Sequence, residues 1–373
     1  MIRILKIGMD VHSKTYAICV VEPKIGEEPM FLYSDEIEAN HRAVLDIISK
    51  LKKQYKNDEL DITCGYEAGC LGFTLQKELT AAGVKCVILA PSTMKVPGGK
   101  RIKTDKRDAK LIAECLASGG FKEVHVPNQK DENIRDYMRM REDIVELLKM
   151  IKQKITAFCL RHGYKYTEGN NWTLKHLKWL EDLPIDILQR EILNEYLIKY
   201  RYFENEIARF DERIEELASD EQYSDGVKKL RCITGIDTNS AMTLISEIGD
   251  FNRFKNANSF SAYVGLVPGE YSSSERENRL PITKTGNKHA RTVLVEAAQS
   301  LCRGRIGVKS KRLISKQRGN DPNVIAYADK ANLRLRRKYY RMILRGKHRN
   351  DAVIAVAREL ACFVWGMMTD HIA

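Results

Sequence analysis

The amino-acid sequence predicts an α/β domain at the N-terminus, followed by two mainly helical regions. Up to about residue 127, short apolar runs alternate with amphipathic stretches, which is typical of a sheet layered with helices. Residues 131–163 and 186–219 instead repeat apolar positions at helical spacing among many Glu, Lys and Arg residues. From about residue 226 the pattern changes again. We therefore divide the chain into residues 1–127, 128–225 and 226–373.

The N-terminal domain is predicted to alternate strands and helices. Residues 2–21 are predicted to form a strand pair, because apolar runs flank a short polar turn. The elements after this pair are a helix over 40–55, a strand from Asp61 to Glu67, a helix over 72–82, a strand from Val84 to Ala90, and a helix from Asp105 to Leu116. Glycine or proline follows the last three within a few residues, as expected where regular structure ends.

The middle region is predicted to form two long helices. Ile207, Phe210, Ile214 and Leu217 make one apolar stripe at helical spacing. Two such helices joined by a short connection are typical of an antiparallel coiled-coil arm. A helical bundle packed on the core is the alternative.

The C-terminal region is predicted to be mainly helical around a long polar loop. The segment Leu230–Asp237 resembles the turn of a helix–turn–helix hairpin, with Gly235 at the bend. Helices are predicted over 238–248 and 256–263, and residues 265–287 form the loop. A loop of this length is either functional or disordered.

The loop ends at a predicted helix start that suits phosphate. Asn287 is a favoured N-cap residue, and helix N-termini bind phosphate through their free N–H groups. Lys284, Lys288 and Arg291 would add positive charge there. We expect these four residues to contact nucleic acid, with a flexible, solvated loop as the alternative.

The distribution of charge favours a nucleic-acid partner. The whole chain carries a net charge of +12, and residues 303–349 contain sixteen Lys or Arg residues against two acids. A basic block this concentrated is typical of nucleic-acid binding, with a solvated helix surface as the alternative. The contacts that we predict within it are Arg334, Arg336, Arg337 and Lys338. Tyr339 and Tyr340 either stack on bases or lie in the core.

Cysteine usage and hydropathy predict a cytoplasmic protein. The nine cysteines include no CxxC pair, which argues against a zinc ribbon or a redox motif. Most lie in apolar stretches, as expected for reduced thiols. The apolar runs are far shorter than a membrane span, and the first residues lack a signal-peptide pattern.

Four acidic residues occur where an α/β domain would present them together. Asp10 interrupts the first strand, Glu67 ends a later strand, and Asp105 and Asp108 share one face of a helix's first turn. Complementing the helix dipole is the alternative explanation for the last two. A strand carboxylate that is buried needs a partner, and a divalent cation satisfies several carboxylates at once. Mg²⁺ suits phosphoryl transfer, and this order of acids is typical of an RNase H-like metal site.

Three motifs around these acids resemble the DEDD signature of the insertion sequence 110 family of transposases. They are Ile7–Lys14, Gly65–Gly69 and Lys103–Lys110. The resemblance implies a Holliday-junction-resolvase-like, that is RNase H-like, N-terminal domain. It also implies that the four acids are catalytic and hold the metal.

The polar loop resembles the C-terminal transposase domain of the same family. The similarity lies in Gly265-Leu-x-Pro268, a serine cluster, and Ile282-x-Lys284-x-Gly286-Asn287-x-x-x-Arg291. It implies a serine nucleophile toward DNA phosphate, and the matching residue is Ser273. The family's following glycine is Ser274 here, so Ser272, Ser273 and Ser274 are consecutive candidates. The nearby His289 is predicted to lie on a helix surface, so activation of the serine falls to the metal.

These features predict a DNA transposase or recombinase that cuts and rejoins DNA by metal-assisted transesterification. The resemblance further implies a non-coding bridge RNA encoded by the element, and a homo-oligomer, dimer or tetramer. The acids and the serine would meet within one protomer or between two. A metal-dependent Holliday-junction-type endonuclease that acts by hydrolysis is one alternative, and it would need the acids without the serine. A non-catalytic nucleic-acid-binding protein is the other, and the four intact acids argue against it.

Overall fold

The computed structural model describes residues 2–24, 26–94, 104–270 and 279–372. The chain divides between Val126 and Pro127 into two compact units. The first unit is a mixed sheet with helices on both faces, and the second is almost entirely helical. This outcome confirms the predicted α/β region followed by helical regions. The three-part division of the chain stays a prediction.

The described part of the first unit contains a five-stranded sheet in the order β3-β2-β1-β4-β5. The strands are β1 (Ile2–Val11), β2 (Thr15–Glu22), β3 (Met30–Glu38), β4 (Glu59–Glu67) and β5 (Lys85–Leu89). Strands β1, β2 and β3 form an antiparallel meander, whereas β4 and β5 run parallel to β1. The predicted strand pair at residues 2–21 is confirmed. β3 was not predicted.

Side chains that alternate along the strands pack against helices on opposite faces. The helices are α1 (His41–Gln54), α2 (Thr74–Ala81) and α3 (Asp105–Ser118). Leu5, Ile7 and Met9 of β1 lie in one core with α1 and α2. The opposite face packs against α3, where Ala109 and Ala113 meet small side chains of β2. The even-numbered residues of β1 therefore face α3.

Two glycines let α3 lie directly on the central strands. Gly8 of β1 and Gly65 of β4 are neighbours in the parallel register. A Cβ on Gly8 would lie 2.3 Å from the backbone N of Ala113, which leaves no room for a side chain. A Cβ on Gly65 would lie 2.9 Å from the side chains of Leu89 and Leu116. The helix backbone is therefore closest to the sheet at Gly8.

The second unit is built from helices and one short hairpin. The helices are α4 (Gln129–Arg161), α5 (Leu174–Glu181), α6 (Ile187–Ala218), α7 (Glu221–Arg231), α8 (Thr238–Ile248), α9 (Ala257–Tyr263), α10 (Lys288–Cys302), α11 (Lys311–Gln317), α12 (Pro322–Leu344) and α13 (Arg349–Met368). The hairpin pairs β6 (Pro268–Glu270) with β7 (Arg279–Ile282). Asn287 caps α10 by accepting a hydrogen bond from the Ala290 N–H, which confirms the predicted helix start.

Helix α4 belongs to two hydrophobic cores. Near its start, Ile134 and Met138 join the main core, which also contains α8, α10 and α13. Near its end, Ile155 and Phe158 pack with α5 and α6 in a separate core. The same helix therefore connects the main core with the outer part of this unit. Across the described residues, no helix has the length and hydropathy needed to cross a membrane.

Candidate functional site

Two of the predicted acids and one histidine meet on the face of the sheet that α3 covers. His12 Nε2 lies 3.2 Å from Asp10 Oδ2 and 3.7 Å from Asp105 Oδ2. One ligand atom from each of these three residues lies within 4.8 Å of the other two. The side chain of Asp10 is 20% exposed and that of Asp105 is 61% exposed, so the cluster opens to solvent. We call these three residues the acidic cluster.

The cluster follows directly from local structure. Asp10 stands two residues after Gly8 on β1, so both face α3. Because Gly8 admits the backbone of α3 at Ala109, the first turn of that helix lies over the end of β1. Thr104 is the N-cap residue, and Asp105 begins the helix. The first-turn position also suits the charge of Asp105, since helix N-termini favour anions.

Electrostatics at Asp10 favour a cation. Burial raises the pKa of the Asp10 carboxyl above its ordinary value. His12 opposes that shift, whereas the negative charges of Asp105 and Asp108 add to it. An ionised Asp10 is therefore unfavourable beside two other carboxylates. A bound cation would remove this repulsion.

Glu67 and Asp108 lie outside the three-residue acidic cluster. Met9 pairs with Tyr66 in the parallel register, so Glu67 follows on β4 where Asp10 follows on β1. Both acids stand two residues after a glycine that faces α3. Glu67 is exposed at the end of its strand. Asp108 lies one turn into α3 and acts on Asp10 through its charge.

The donor set fits a divalent cation. Asp10 and Asp105 offer carboxylate oxygens, which hard cations such as Mg²⁺ prefer. His12 offers an imidazole nitrogen, which Mn²⁺ and softer ions accept more readily than Mg²⁺ does. When protonated, the same histidine is instead a positive partner for both acids. Sequence reasoning missed His12, although it lies only two positions after Asp10, just past the end of β1.

The three candidate serines, Ser272, Ser273 and Ser274, lie outside the described residues. The strands that lead into and out of this segment are described, and they pair at Pro268 with Ile282. Below that pair the Thr283 N–H donates to the Val267 carbonyl at 2.9 Å. The base of the hairpin is therefore hydrogen-bonded backbone.

The predicted nucleic-acid contacts of α12 fall into two groups. Arg336 is buried, and its guanidinium donates to the carbonyls of Leu301, Arg305 and Val308. Arg334 and Lys338 both pair with Glu359 of α13, while Arg337 is exposed. Arg336 thus connects helices inside the unit, and the other three residues remain at the surface.

The residues around the start of α10 divide in the same way. Lys284 and Lys288 are exposed. Arg291 donates to the carbonyls of Val264 and Thr285, and both polar groups of the Asn287 side chain are bonded within the protein. His289 is half-buried and contacts Glu142 of α4, so its predicted position on the helix surface is wrong.

Carboxylates gathered at the ends of central strands, together with a basic helical region, are typical of enzymes that carry out phosphoryl transfer on nucleic acid. Comparison with known proteins agrees. Residues 7–162 match a family model for transposases of the DEDD type from IS110 elements, and residues 227–312 match the model described as Transposase IS116/IS110/IS902 family.

Whole-chain relatives give the same result. A putative transposase, y4qE, of Sinorhizobium fredii is 33% identical over 97% of this chain and 87% of its own length. The transposase for insertion sequence element IS1533 of Leptospira borgpetersenii is 32% identical over 90% of this chain and 96% of its own. The chain therefore belongs to the IS110 family of transposases and is a DNA transposase. Membership in this DEDD-type family implies a divalent metal ion, which the acidic cluster fits.

Proposed function

We propose that this transposase cuts and rejoins DNA by transesterification, with Ser273 as the nucleophile and an RNase H-like domain as the metal-binding half of the site. The convergence of Asp10 and Asp105 under the start of α3 carries this proposal. The sheet order β3-β2-β1-β4-β5, with an antiparallel meander and two parallel strands, supports the RNase H-like assignment. Acids on the two central strands and on the helix that covers them fit the same assignment.

In this proposal Asp10, Glu67, Asp105 and Asp108 share the binding of Mg²⁺. When bound, the ion would supply Lewis-acid activation and neutralise charge on the phosphate. Asp10 is the fixed member, because it is mostly buried on a central strand. Glu67 and Asp105, at a strand end and a helix start, would hold the ion from more exposed positions. His12 holds the two nearest carboxylates in place.

The chemical step exchanges one phosphoester for another. The Ser273 Oγ–P bond forms and a P–O bond to deoxyribose breaks, and the serine proton passes to solvent as the leaving hydroxyl takes one up. The covalent serine–DNA phosphoester then reacts with a hydroxyl of a new DNA end, which restores the serine. The energy of the phosphoester bond is conserved, so the reaction needs no nucleoside triphosphate. This agrees with the lack of a Walker-type motif in the sequence.

For nucleic-acid binding we retain the surface cations and leave out the buried ones. The retained residues are Lys284, Lys288, Arg334, Arg337 and Lys338. Their partners in the proposal are donor and target DNA and a bridge RNA. Helices α4 and α6, which pack along each other, would form the coiled-coil arm that joins protomers of a dimer or tetramer.

The test is to trap the protein on DNA and to map the modified residue by mass spectrometry. We expect a phosphoester on Ser273, lost in Ser273→Ala and kept in Ser272→Ala and Ser274→Ala. Cleavage that persists in Ser273→Ala without a covalent adduct would contradict the serine mechanism and support the hydrolytic endonuclease. RNA that copurifies with the protein, and whose removal abolishes cleavage, would support the bridge RNA.

A further inference from the structure

A buried triad joins α4, α8 and the start of α10 at the base of the β6–β7 hairpin. Glu247 of α8 has a side chain only 1% exposed. Arg139 of α4 binds both of its carboxylate oxygens, at 2.7 and 2.9 Å. Asn287 donates to the same carboxylate at 2.6 Å. We call Arg139, Glu247 and Asn287 the buried triad, after its buried carboxylate; the Arg139 side chain itself is 41% exposed.

The triad lies where the chain passes from β7 into α10. The Asn287 side chain makes two hydrogen bonds. Its Nδ2 group donates to Glu247, and its Oδ1 atom accepts from the Ala290 N–H and so caps α10. The preceding residue, Gly286, has a positive φ of 72°, and a Cβ there would lie 1.9 Å from the Tyr263 carbonyl oxygen. Thus a side chain at position 286 has no room beside the end of α9.

A second contact from the same face of α4 supports the triad. Glu142, three residues after Arg139, contacts His289 in the first turn of α10. Arg135, one turn before, donates to the Ser246 carbonyl at 3.0 Å. Three turns of α4 therefore hold α8 and the start of α10 in one arrangement.

Stability alone does not explain a buried ion pair at this place. Replacing a buried ion pair by apolar side chains is often neutral or stabilising, because burying charge costs desolvation, and here the buried charge is that of Glu247. What an Arg–carboxylate pair with two parallel hydrogen bonds provides is a fixed direction. Here the same carboxylate also binds Asn287, five residues after the end of β7.

From these contacts we propose that Arg139 and Glu247 are positioning residues that fix the serine-bearing hairpin relative to the DNA phosphate. This inference rests on the proposed serine mechanism. The two residues touch neither DNA nor metal in the proposal. They act through Asn287, on the stretch that joins β7 to α10.

The chain contains a matched control on the same helix. Arg141 of α4 binds Asp211 of α6 at 2.6 Å, and Asn239 of α8 donates to the same oxygen at 2.6 Å. This second Arg–acid–Asn set has the same chemistry, and its two hydrogen bonds join α4, α6 and α8. The Asp211 side chain is 42% exposed, so Arg141→Met leaves the Asp211 charge in contact with solvent.

The experiment compares Glu247→Gln and Arg139→Met with Asp211→Asn and Arg141→Met in the full-length protein. Each is assayed at the same interval below its own melting temperature, on the same suicide DNA substrate with Mg²⁺. The readouts are the single-turnover rate, the Kd for DNA, and the identity of the serine that carries DNA. The last readout is insensitive to a merely structural loss of folded protein.

We expect the triad variants to slow covalent attack by roughly 10- to 100-fold, the cost of misplacing a reacting group by about 1 Å. Adducts should spread from Ser273 to its neighbours, with the Kd for DNA little changed. The control variants should keep one adduct site. Arg139→Lys should restore part of the rate, because it returns the charge without the two parallel hydrogen bonds.

An unchanged adduct site and rate in both triad variants would overturn the positioning role alone. If the wild-type protein forms no serine adduct, the proposed function fails first, and this inference fails with it. The two failures are therefore distinguishable by the wild-type result.

Discussion

The two units of this transposase hold their chemically important side chains by different means. In the N-terminal unit, strand register and the absence of a side chain at Gly8 bring Asp10 and Asp105 together. In the helical unit, an ion pair between residues 108 positions apart, Arg139 and Glu247, joins α4 to α8 and also binds Asn287 at the start of α10. The first arrangement depends on backbone geometry and the second on side-chain charge.

This difference explains why the two sites tolerate change differently. The close contact between Gly8 and the backbone of α3 is lost when a side-chain atom is added to the glycine. An ion pair is lost when either of its two residues is replaced by an uncharged one. A site built on register can also keep its ligands in unfavourable proximity, because the strands and helix hold them there. The following predictions, ordered from the largest expected effect to the smallest, test these two modes.

Neutralising Asp10 should separate activity from stability. We expect Asp10→Asn to lower the cleavage rate by about 10²–10³-fold or more, the size found for losing one group that stabilises transition-state charge. Without metal, the variant should be at least as stable as wild type, since repulsion with Asp105 and Asp108 is removed. Urea unfolding in EDTA and single-turnover cleavage measure both quantities. Added Mg²⁺ should stabilise the wild type only, and a variant less stable than wild type in EDTA would contradict the repulsion.

Filling the space at Gly8 should damage the site through the backbone. Because the added methyl group would meet the backbone N of Ala113 at 2.3 Å, Gly8→Ala must displace α3 and should cost about 3 kcal/mol. Gly65→Ala is the control, since it meets only side-chain ends of Leu89 and Leu116 and should cost about 1 kcal/mol. Chemical denaturation gives both values. Equal losses would show that α3 does not depend on Gly8.

Breaking the buried triad should cost stability in a pH-dependent way. Arg139→Met leaves Glu247 buried without its main partner, and we expect a loss of about 2–3 kcal/mol at neutral pH. Burial raises the pKa of Glu247, but its bonds to Arg139 and Asn287 outweigh that and hold the pKa below its ordinary value. The contribution of Glu247 to stability is therefore present above its unfolded-state pKa and is lost as the pH falls through the folded value. The gap between wild type and variant should shrink in acid, and a gap that is constant from neutral to acid pH would argue against the ion pair.

Neighbouring arginines on α12 should show the smallest and most selective effect. Arg337→Ala should lower the slope of log K against log salt for nucleic-acid binding by about 1, with little change in stability. Arg336→Ala should destabilise the unit instead, because three carbonyls lose their donor. Salt titrations and melting curves distinguish the two. An unchanged salt slope in Arg337→Ala would remove that residue from the proposed surface.

The sequence was informative wherever local pattern decides structure. Asp10 and Glu67 could be placed on strands and Asp105 at a helix start, because apolar runs and turn residues bracket each one. β3 was missed since it is a largely exposed edge strand with few buried side chains to create a pattern. α5 was missed because it is short and lies between two much longer helices.

What could not be predicted was the use of polar side chains over long sequence distances. Nothing in the local sequence distinguishes the buried Arg336 from the exposed Arg337, because their burial is decided by the turn after α10. The partnership of Arg139 with Glu247 likewise depends on how α4 and α8 pack. His12 is an intermediate case, since its spacing from Asp10 was visible but its approach to Asp105 was not.

The parallel pairing of Gly8 with Gly65 has a consequence for insertions and deletions in this chain. Each strand carries the same three-residue motif, a glycine followed two positions later by an acid, and the two motifs lie side by side in the sheet. The 56 positions between Asp10 and Glu67 can change in length within their turns without separating the acids. A single residue gained or lost inside either motif would turn one acid to the opposite face of the sheet, into the core beneath α1 and α2. Length variation among functional variants should therefore fall in the turns and never within these two three-residue motifs.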